Sequence, residues 1–207
     1  MIINLIKDDI FADNNKNTVI PVNEYFDVHV GDGIICERSI HGQFIKRFNG
    51  SIQELKSKIY SSLDGVKYET VVRGEHCCTR RYDIGTIAKV NIENKTYLLL
   101  ATTVFDEENH VVYSPLNHMK ALAGLASYVQ QNINGGEITL PLIGTGRGGE
   151  LSAVNSLQTI LNAFSITPDI KKETTLSIIH QCKKWEENKL VSIIVNYSDN
   201  CQLNIRR

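Results

Sequence analysis

Residues 138–161, "ITLPLIGTGRGGELSAVNSLQTIL", constrain the fold of this chain more than any other stretch. An apolar run stops at four glycines within residues 144–149, and a helical spacing resumes behind them through Leu151, Val154, Leu157, Leu161 and Phe164. Glycine lets the backbone turn with positive φ and approach a ligand without Cβ obstruction. Consecutive N–H groups can then face an anion beside the N-terminus of the following helix. A strand feeding such a loop and then a helix is a unit of α/β architecture. A diphosphate is the natural occupant, and the alternative is a tight strand-to-helix turn that binds nothing.

Two literal patterns fit the loop, and both fail on their surroundings. Gly144, Gly146 and Gly149 satisfy GxGxxG. A dinucleotide fold, however, uses its first strand for this turn and ends the next strand on an acidic residue for the ribose. Here too few strands remain, and Asp169 and Glu173 precede the next strand instead of ending it. Gly144 and Gly149 also match the outer glycines of a Walker A loop, but Glu150 and Leu151 stand where Lys and Ser/Thr are required. No nucleoside triphosphate with magnesium is expected.

The rest of the chain alternates strands and helices. Short strands are expected in "INLI" and over Thr18 to Val22, ending at Asn23, with a polar turn through Asp13 to Asn17 between them. A glycine-containing stretch leads into a helix carrying Ile40, Phe44, Ile45 and Phe48. Ser51 and Glu54 then form a capping box for a helix with Ile52, Leu55, Ile59 and Leu63 on one face. Strands follow at Thr86 to Ile92 and Tyr97 to Val104, the second apolar and β-branched enough to be buried on both faces and central in its sheet. "SPLNHMKALAGLASYVQQN" is helical with Leu122, Leu125 and Val129 inward. Two last apolar runs, "TTLSIIH" and "LVSIIVN", flank the polar, helix-like "QCKKWEENK". This alternation predicts a mostly parallel or mixed sheet covered on both faces. Its 207 residues, 42% of them hydrophobic, suit one α/β domain over 1–207.

Charge and cysteine usage exclude several classes. Lys and Arg (22) nearly cancel Asp and Glu (23), and no basic run stands out, so nucleic acid is a poor partner. The five cysteines, Cys36, Cys77, Cys78, Cys182 and Cys201, are odd in number and never spaced CxxC, which argues for a reducing, cytoplasmic compartment. Lys7, Asp8 and Asp9 interrupt the N-terminal apolar stretch, and no apolar run approaches the roughly 20 residues needed to span a bilayer.

The order of motifs resembles the macro domain family, which binds ADP-ribose on an α/β/α fold. The stations are "IKDDIF" with Asp9 and Ile10, "VIPVNEYF" with Val22 and Asn23, "HVGDGII" with Gly31, Asp32, Gly33 and Ile34, "RRYDIGTIAKV" with Tyr82, and "PLIGTGRGG" from Pro141 to Gly149. The resemblance implies a three-layer α/β/α sandwich around a central mixed, mostly parallel sheet. It also implies that Asp9 accepts from the adenine amino group and Ile10 packs beside it. Loops 31–34 and 144–149, the latter comprising Gly144, Thr145, Gly146, Arg147, Gly148 and Gly149, would hold the diphosphate, and Asn23 would lie near the distal ribose. Taken alone, Asp9 is an ordinary turn acid, whereas Asn23 reads equally as a strand-end turn residue or a ligand contact, and Arg147 equally as a solvated loop-tip charge or a charge-assisted contact to phosphate.

The resemblance also bears on catalysis. In family members that hydrolyse ADP-ribose esters, a second asparagine three residues after the first helps orient the ribose and a water. Here that position is Phe26, whose ring cannot replace an amide that both donates and accepts. A receptor with no catalytic residue, no cofactor and no metal is therefore preferred to an ADP-ribosyl hydrolase. The wording "IPVNEYFD…GDGIICERSIHGQFI" is most similar to macro domains of Thoeris anti-phage effectors, which follow a membrane segment. That resemblance implies a nucleotide signal, in some systems a histidine conjugate of ADP-ribose, made by a TIR-domain partner that consumes NAD. It places the chain in the cytoplasm, free-standing or as the cytoplasmic part of an inner-membrane effector. Glu24, Tyr25, Asp27, Arg80 and Arg81 are candidates for contacting the conjugated group. His76, Cys77 and Cys78 lack the spacing of a zinc site. Trp185, in a polar stretch, suits a lid over a crevice or a contact with a second copy.

Overall fold

The computed structural model describes residues 1–146, 150–197 and 202–206, the last five by their backbone. In chain order the elements begin with β1 (Ile2–Ile6), β2 (Thr18–Asn23), α1 (Ile40–Arg47), α2 (Ile52–Ser62), β3 (Tyr68–Thr70), β4 (Arg80–Tyr82) and β5 (Ile87–Ile92). Then come β6 (Lys95–Phe105), β7 (Val111–Val112), α3 (Pro115–Asn132), β8 (Glu137–Pro141), α4 (Ala153–Ile166), β9 (Thr175–Ile179), α5 (Lys184–Tyr197) and β10 (Gln202–Arg206). They form two compact units: Met1–Val19 with Leu125–Arg207, and Ile20–Gly124.

The first unit is built on parallel strands in the order β10, β1, β9, β8, with Thr18 of β2 paired to Thr139 at the β8 side. Ile3, Leu5, Ile138, Leu140, Leu176 and Ile178 are buried, and so are the residues between them, Asn4, Thr139 and Ser177. Burial of both alternating sets is what a parallel sheet covered on both faces requires. Helix α4 starts at Ser152, whose hydroxyl accepts from the Asn155 N–H at 3.1 Å, and it buries Leu157, Ile160, Leu161 and Phe164. Because β1 and β8 run parallel, the segments after Ile6 and after Pro141 leave the same edge of this unit's sheet. The carboxyl edge of parallel strands is where α/β proteins present ligand loops.

The second unit holds the Ile20–Asn23 end of β2 next to β6, with β5 antiparallel on the far side of β6 from Ile87↔Leu100 to Ile92↔Lys95. Strands β3 and β4 form a separate antiparallel pair. Helix α2 has the expected cap: Ser51 Oγ accepts from the Glu54 N–H at 3.1 Å, and Leu55, Ile59 and Leu63 are buried. Ile52 is not on that buried face and is exposed. Gly85 and Gly124 meet closely; a Cβ on Gly124 would lie 2.5 Å from the Gly85 carbonyl oxygen. A side chain there would push α3 off the turn it rests on.

Several expectations need correction. The run "LVSIIVN" is the second half of α5, continuous with the polar stretch before it, and buries only Leu190 and Ile194, one helical turn apart. Leu151 precedes the Ser152 cap, so α4's inner face begins at Ala153. Strand β6 is buried at Leu98–Ala101 as expected but is not central; β5 beside it is the last strand in the order. The short strands β3, β4 and β7 carried no periodic signal, and the final β10 was not anticipated although Leu203 and Ile205 alternate with Gln202, Asn204 and Arg206.

Candidate functional site

In the first unit, the turn after β1 is held by its own polar groups. Asp9 Oδ1 accepts from the Phe11 N–H at 3.0 Å, the Asp9 N–H donates to Asp8 Oδ1 at 2.7 Å, and Asn15 Nδ2 donates to the carbonyls of Asp9 (3.1 Å) and Ile10 (2.9 Å). Asp9 is exposed while Ile10 is buried. His180, just past β9, continues the sheet ladder by donating its N–H to the Ile6 carbonyl, and Gln181 Nε2 donates to the Asp8 carbonyl at 2.7 Å. Burial pulls the His180 imidazole down and pushes the nearby Cys182 thiol up to about 11. A thiol so raised carries little thiolate at neutral pH.

The glycine loop after β8 also belongs to this unit. Gly144 adopts φ +87°, the left-handed region that favours glycine, and its carbonyl accepts from the Leu151 N–H at 3.2 Å. Thr145 Oγ1 donates to the Leu142 carbonyl at 2.8 Å, and Ser156 Oγ from α4 donates to the Ile143 carbonyl at 2.7 Å. A Cβ built on Gly146 would meet nothing within 4 Å among the described residues. Arg147, Gly148 and Gly149 lie outside the described residues.

In the second unit, the loop after the β2 turn has three consecutive positive φ values, Gly31 +106°, Asp32 +49° and Gly33 +76°. Gly31 N–H donates to Ile35 O and Ile34 N–H to Gly31 O, both at 2.9 Å. The N–H groups of Asp32 and Gly33 have no acceptor among the described residues. Adjacent donors in left-handed backbone form an anion-accepting concavity. His29 Nε2 lies 2.7 Å from Asp32 Oδ2, a bond that holds the exposed Asp32 carboxyl below its usual range, and the His76 ring stacks on His29 at 4.5 Å.

Asn23 ends β2 buried, with its amide largely committed. Its Oδ1 accepts from the Tyr25 N–H (3.1 Å) and the Asp27 N–H (3.2 Å), and its Nδ2 donates to Asp27 Oδ2 at 3.0 Å. Phe26 sits in this turn with φ +52°, an outlier for a bulky residue, and packs edge-on against Tyr82 at 5.4 Å. Asp27 is fully buried. Its carboxylate takes Arg73 NH1 at 2.9 and 3.0 Å and the Cys78 N–H at 2.6 Å. Arg73 also donates to the Cys78 carbonyl and to Asn109 Oδ1, and its guanidinium lies 3.7 Å from the Tyr25 ring centre.

The family model described as "Thoeris protein ThsA, Macro domain" matches residues 3–180. The chain belongs to the ThsA macro-domain family. In sequence it is 27% identical over 202 residues to Thoeris protein ThsA of Bacillus amyloliquefaciens (strain Y2), covering 96% of this chain and 63% of that protein. The chain thus spans 63% of the length of that curated relative. Among solved structures, a glycine-to-valine mutant of the Oceanobacillus iheyensis macrodomain with ADPR aligns at TM-score 0.61 and 11% identity, over 94% of this chain and 92% of that one. An aspartate-to-alanine mutant of the same macrodomain gives 0.57 and 12%, over the same shares. At these identities they establish the fold, α/β with a mixed and mostly parallel sheet.

Set in a ThsA-type macro domain, the residues read from sequence divide by environment. Asp9 with Ile10, and Gly144 with Thr145 and Gly146, leave the carboxyl edge of the first unit's sheet. Asn23 and the loop Gly31 to Ile34 follow β2 in the second. Asp27, considered for direct ligand contact, is instead a buried partner of Arg73, and Tyr25 is buried under the same guanidinium. Glu24 is buried too, its carboxyl raised by that burial and its Oε1 accepting from the Phe105 N–H. Arg80 lies between the Tyr60 and Tyr68 rings, and Arg81 pairs with Glu69. Among the described residues no three His, Cys, Asp or Glu side chains gather as metal ligands, and no helix is long and apolar enough to cross a membrane. Sequence reasoning missed Arg73: it stands 46 residues from Asp27, beyond any local pattern.

Proposed function

We propose that this ThsA-type macro domain, taken as one domain over 1–207, is a non-catalytic receptor for an ADP-ribose-type nucleotide. The observation that carries this reading is the run of left-handed backbone at Gly31, Asp32 and Gly33, with two adjacent N–H donors that have no acceptor among the described residues. An oxygen-rich diphosphate matches such donors, and the Asp32 carboxylate beside them is engaged by His29 Nε2. Gly144 to Gly149, with Arg147 among them, is the second diphosphate segment. Exposed Asp9 and its neighbour Ile10 take the adenine end, and Asn23 takes the distal ribose. Phe26, buried against Tyr82, offers no amide to orient a water, which favours a receptor over a hydrolase. The signal is an ADP-ribose derivative, with a histidine conjugate the first to test. Its source is a TIR-domain, NAD-consuming partner in a cytoplasmic anti-phage response.

The test is calorimetric titration with ADP-ribose, cyclic ADP-ribose isomers and a histidine–ADP-ribose conjugate, followed by chromatography of each ligand. Binding of an intact ligand is expected; a converted ligand would make the protein an enzyme. Gly146→Glu adds a carboxylate at a position where a Cβ meets nothing within 4 Å among the described residues, and it is expected to abolish binding without unfolding the domain. Unchanged affinity would remove that loop from the site.

A further inference from the structure

The turn from Asn23 to Asp27 carries an unusual conformation and an unusual amount of polar bonding for five residues. Phe26 has positive φ, which costs roughly 1–3 kcal/mol and persists only where the surroundings over-determine it. The surroundings here are specific. Phe26 N–H donates to the Asn23 carbonyl, both acceptor positions of the Asn23 amide oxygen are filled from Tyr25 and Asp27, and the Asp27 carboxylate holds the Asn23 amide nitrogen. The buried His41 of α1 adds a hydrogen bond to the Asp27 backbone.

What anchors this turn from outside is Arg73, on the segment joining β3 to β4. Its side chain is 7% exposed and Asp27's 0%. A buried ion pair is weak evidence for stability, because apolar residues of similar volume often serve as well. What a guanidinium supplies and an apolar side chain lacks is direction: planar donors at fixed angles. Those donors go to Asp27, to the Cys78 carbonyl and to Asn109 in the turn before β7, so one side chain joins three segments of the second unit.

We propose that Arg73 is a positioning residue: through Asp27 it fixes the Asn23 amide, and so sets the recognition of the distal ribose by a group that Arg73 never touches. One Asn23 Nδ2 proton is held by Asp27, and the other meets the ribose. This rests on the ADP-ribose reading given above and adds to it the part of the ligand that Arg73 governs. ADP, which shares the adenosine and diphosphate but lacks the distal ribose, is the internal control.

The experiment measures ADP-ribose and ADP affinity for the unaltered chain, for Arg73→Met and for the double variant Asp27→Asn with Arg73→Met. The double variant replaces both buried charges together, so that neither is left buried without its partner, and a cooperative thermal transition shows that it folds. Its preference for ADP-ribose over ADP is expected to fall about tenfold, while ADP affinity holds, because pre-organisation is lost at one end of the ligand only. A folded double variant with an unchanged preference overturns the proposal and leaves the receptor reading standing. Equal loss for both ligands overturns it as well, since that is the mark of a general structural role. If the unaltered chain binds neither ligand, the receptor reading itself fails. If the double variant does not fold, Asn109→Ala, which removes one Arg73 contact and no charge, is measured by the same ratio, and an unchanged ratio overturns the proposal.

Discussion

Asp9 follows β1 and Asn23 ends β2, and each accepts an N–H from the residue two further on, yet the two turns are built to opposite ends. The Asp9 turn is exposed at Asp8 and Asp9 and is tied down by its own carboxylates and by two amides, Asn15 and Gln181. The Asn23 turn is buried, contains a left-handed phenylalanine, and is held by an ion pair reaching from a distant segment. The same local motif therefore serves two purposes. In the first the side chain is exposed; in the second most of the amide's bonding is spent on holding a shape. Sequence alone, which sees only the motif, ranks the two residues alike.

The contrast can be broken most sharply at Arg73. Arg73→Met leaves the Asp27 carboxylate buried and unpaired and is expected to cost about 3–5 kcal/mol in urea denaturation, whereas Asp9→Ala stays within about 0.5 kcal/mol. Equal midpoints for the two variants would erase the distinction. A second, smaller effect is expected from His41, whose imidazole is pulled by burial from 6.5 down to about 4. The unfolded chain takes up this proton more readily than the folded one. Stability is thus full above pH 6.5 and falls by up to about 3 kcal/mol as the pH drops toward 4, where the loss levels off. His41→Leu should flatten that part of a pH series of melting curves. Asp9→Ala is expected to reverse the ranking when binding is measured: about 1.5–3 kcal/mol of ADP-ribose affinity is lost with the melting point unchanged. Smallest is Asn15→Ala, which removes donors to two carbonyls of the exposed turn; about 1 kcal/mol of stability is expected to go in chemical denaturation.

What was legible in the sequence follows the same division between local and distant. Helix α2 was readable because Ser51, Glu54, Leu55 and Ile59 speak to neighbours three and four residues away. Strands β1, β2 and β8 were readable because apolar runs ended at turn formers, and the order of the glycine segments was enough to identify the family. Helix α5 was not, since its β-branched second half reads as a strand when only hydrophobicity is considered, although just Leu190 and Ile194 go inward. Strands of two or three residues, such as β7 and the fully exposed β3, leave no period to detect. At the candidate site, glycines announced themselves because their positive φ values need them. Nothing in residues 70–76 marked Arg73 as the partner of Asp27, because a pairing across 46 residues is a property of the fold.

Phe26 has an evolutionary consequence. Its backbone lies in the region that asparagine adopts with little strain, and asparagine is what the resemblance to the wider family puts at this position. Phe26→Asn would relax the main chain by a kilocalorie or so but would empty the place its ring fills against Tyr82, a loss of about 3–5 kcal/mol for a buried aromatic. A lineage that made this exchange could not retrace it in one step without first rebuilding the packing around Tyr82, so the ring works as a ratchet against a return to asparagine.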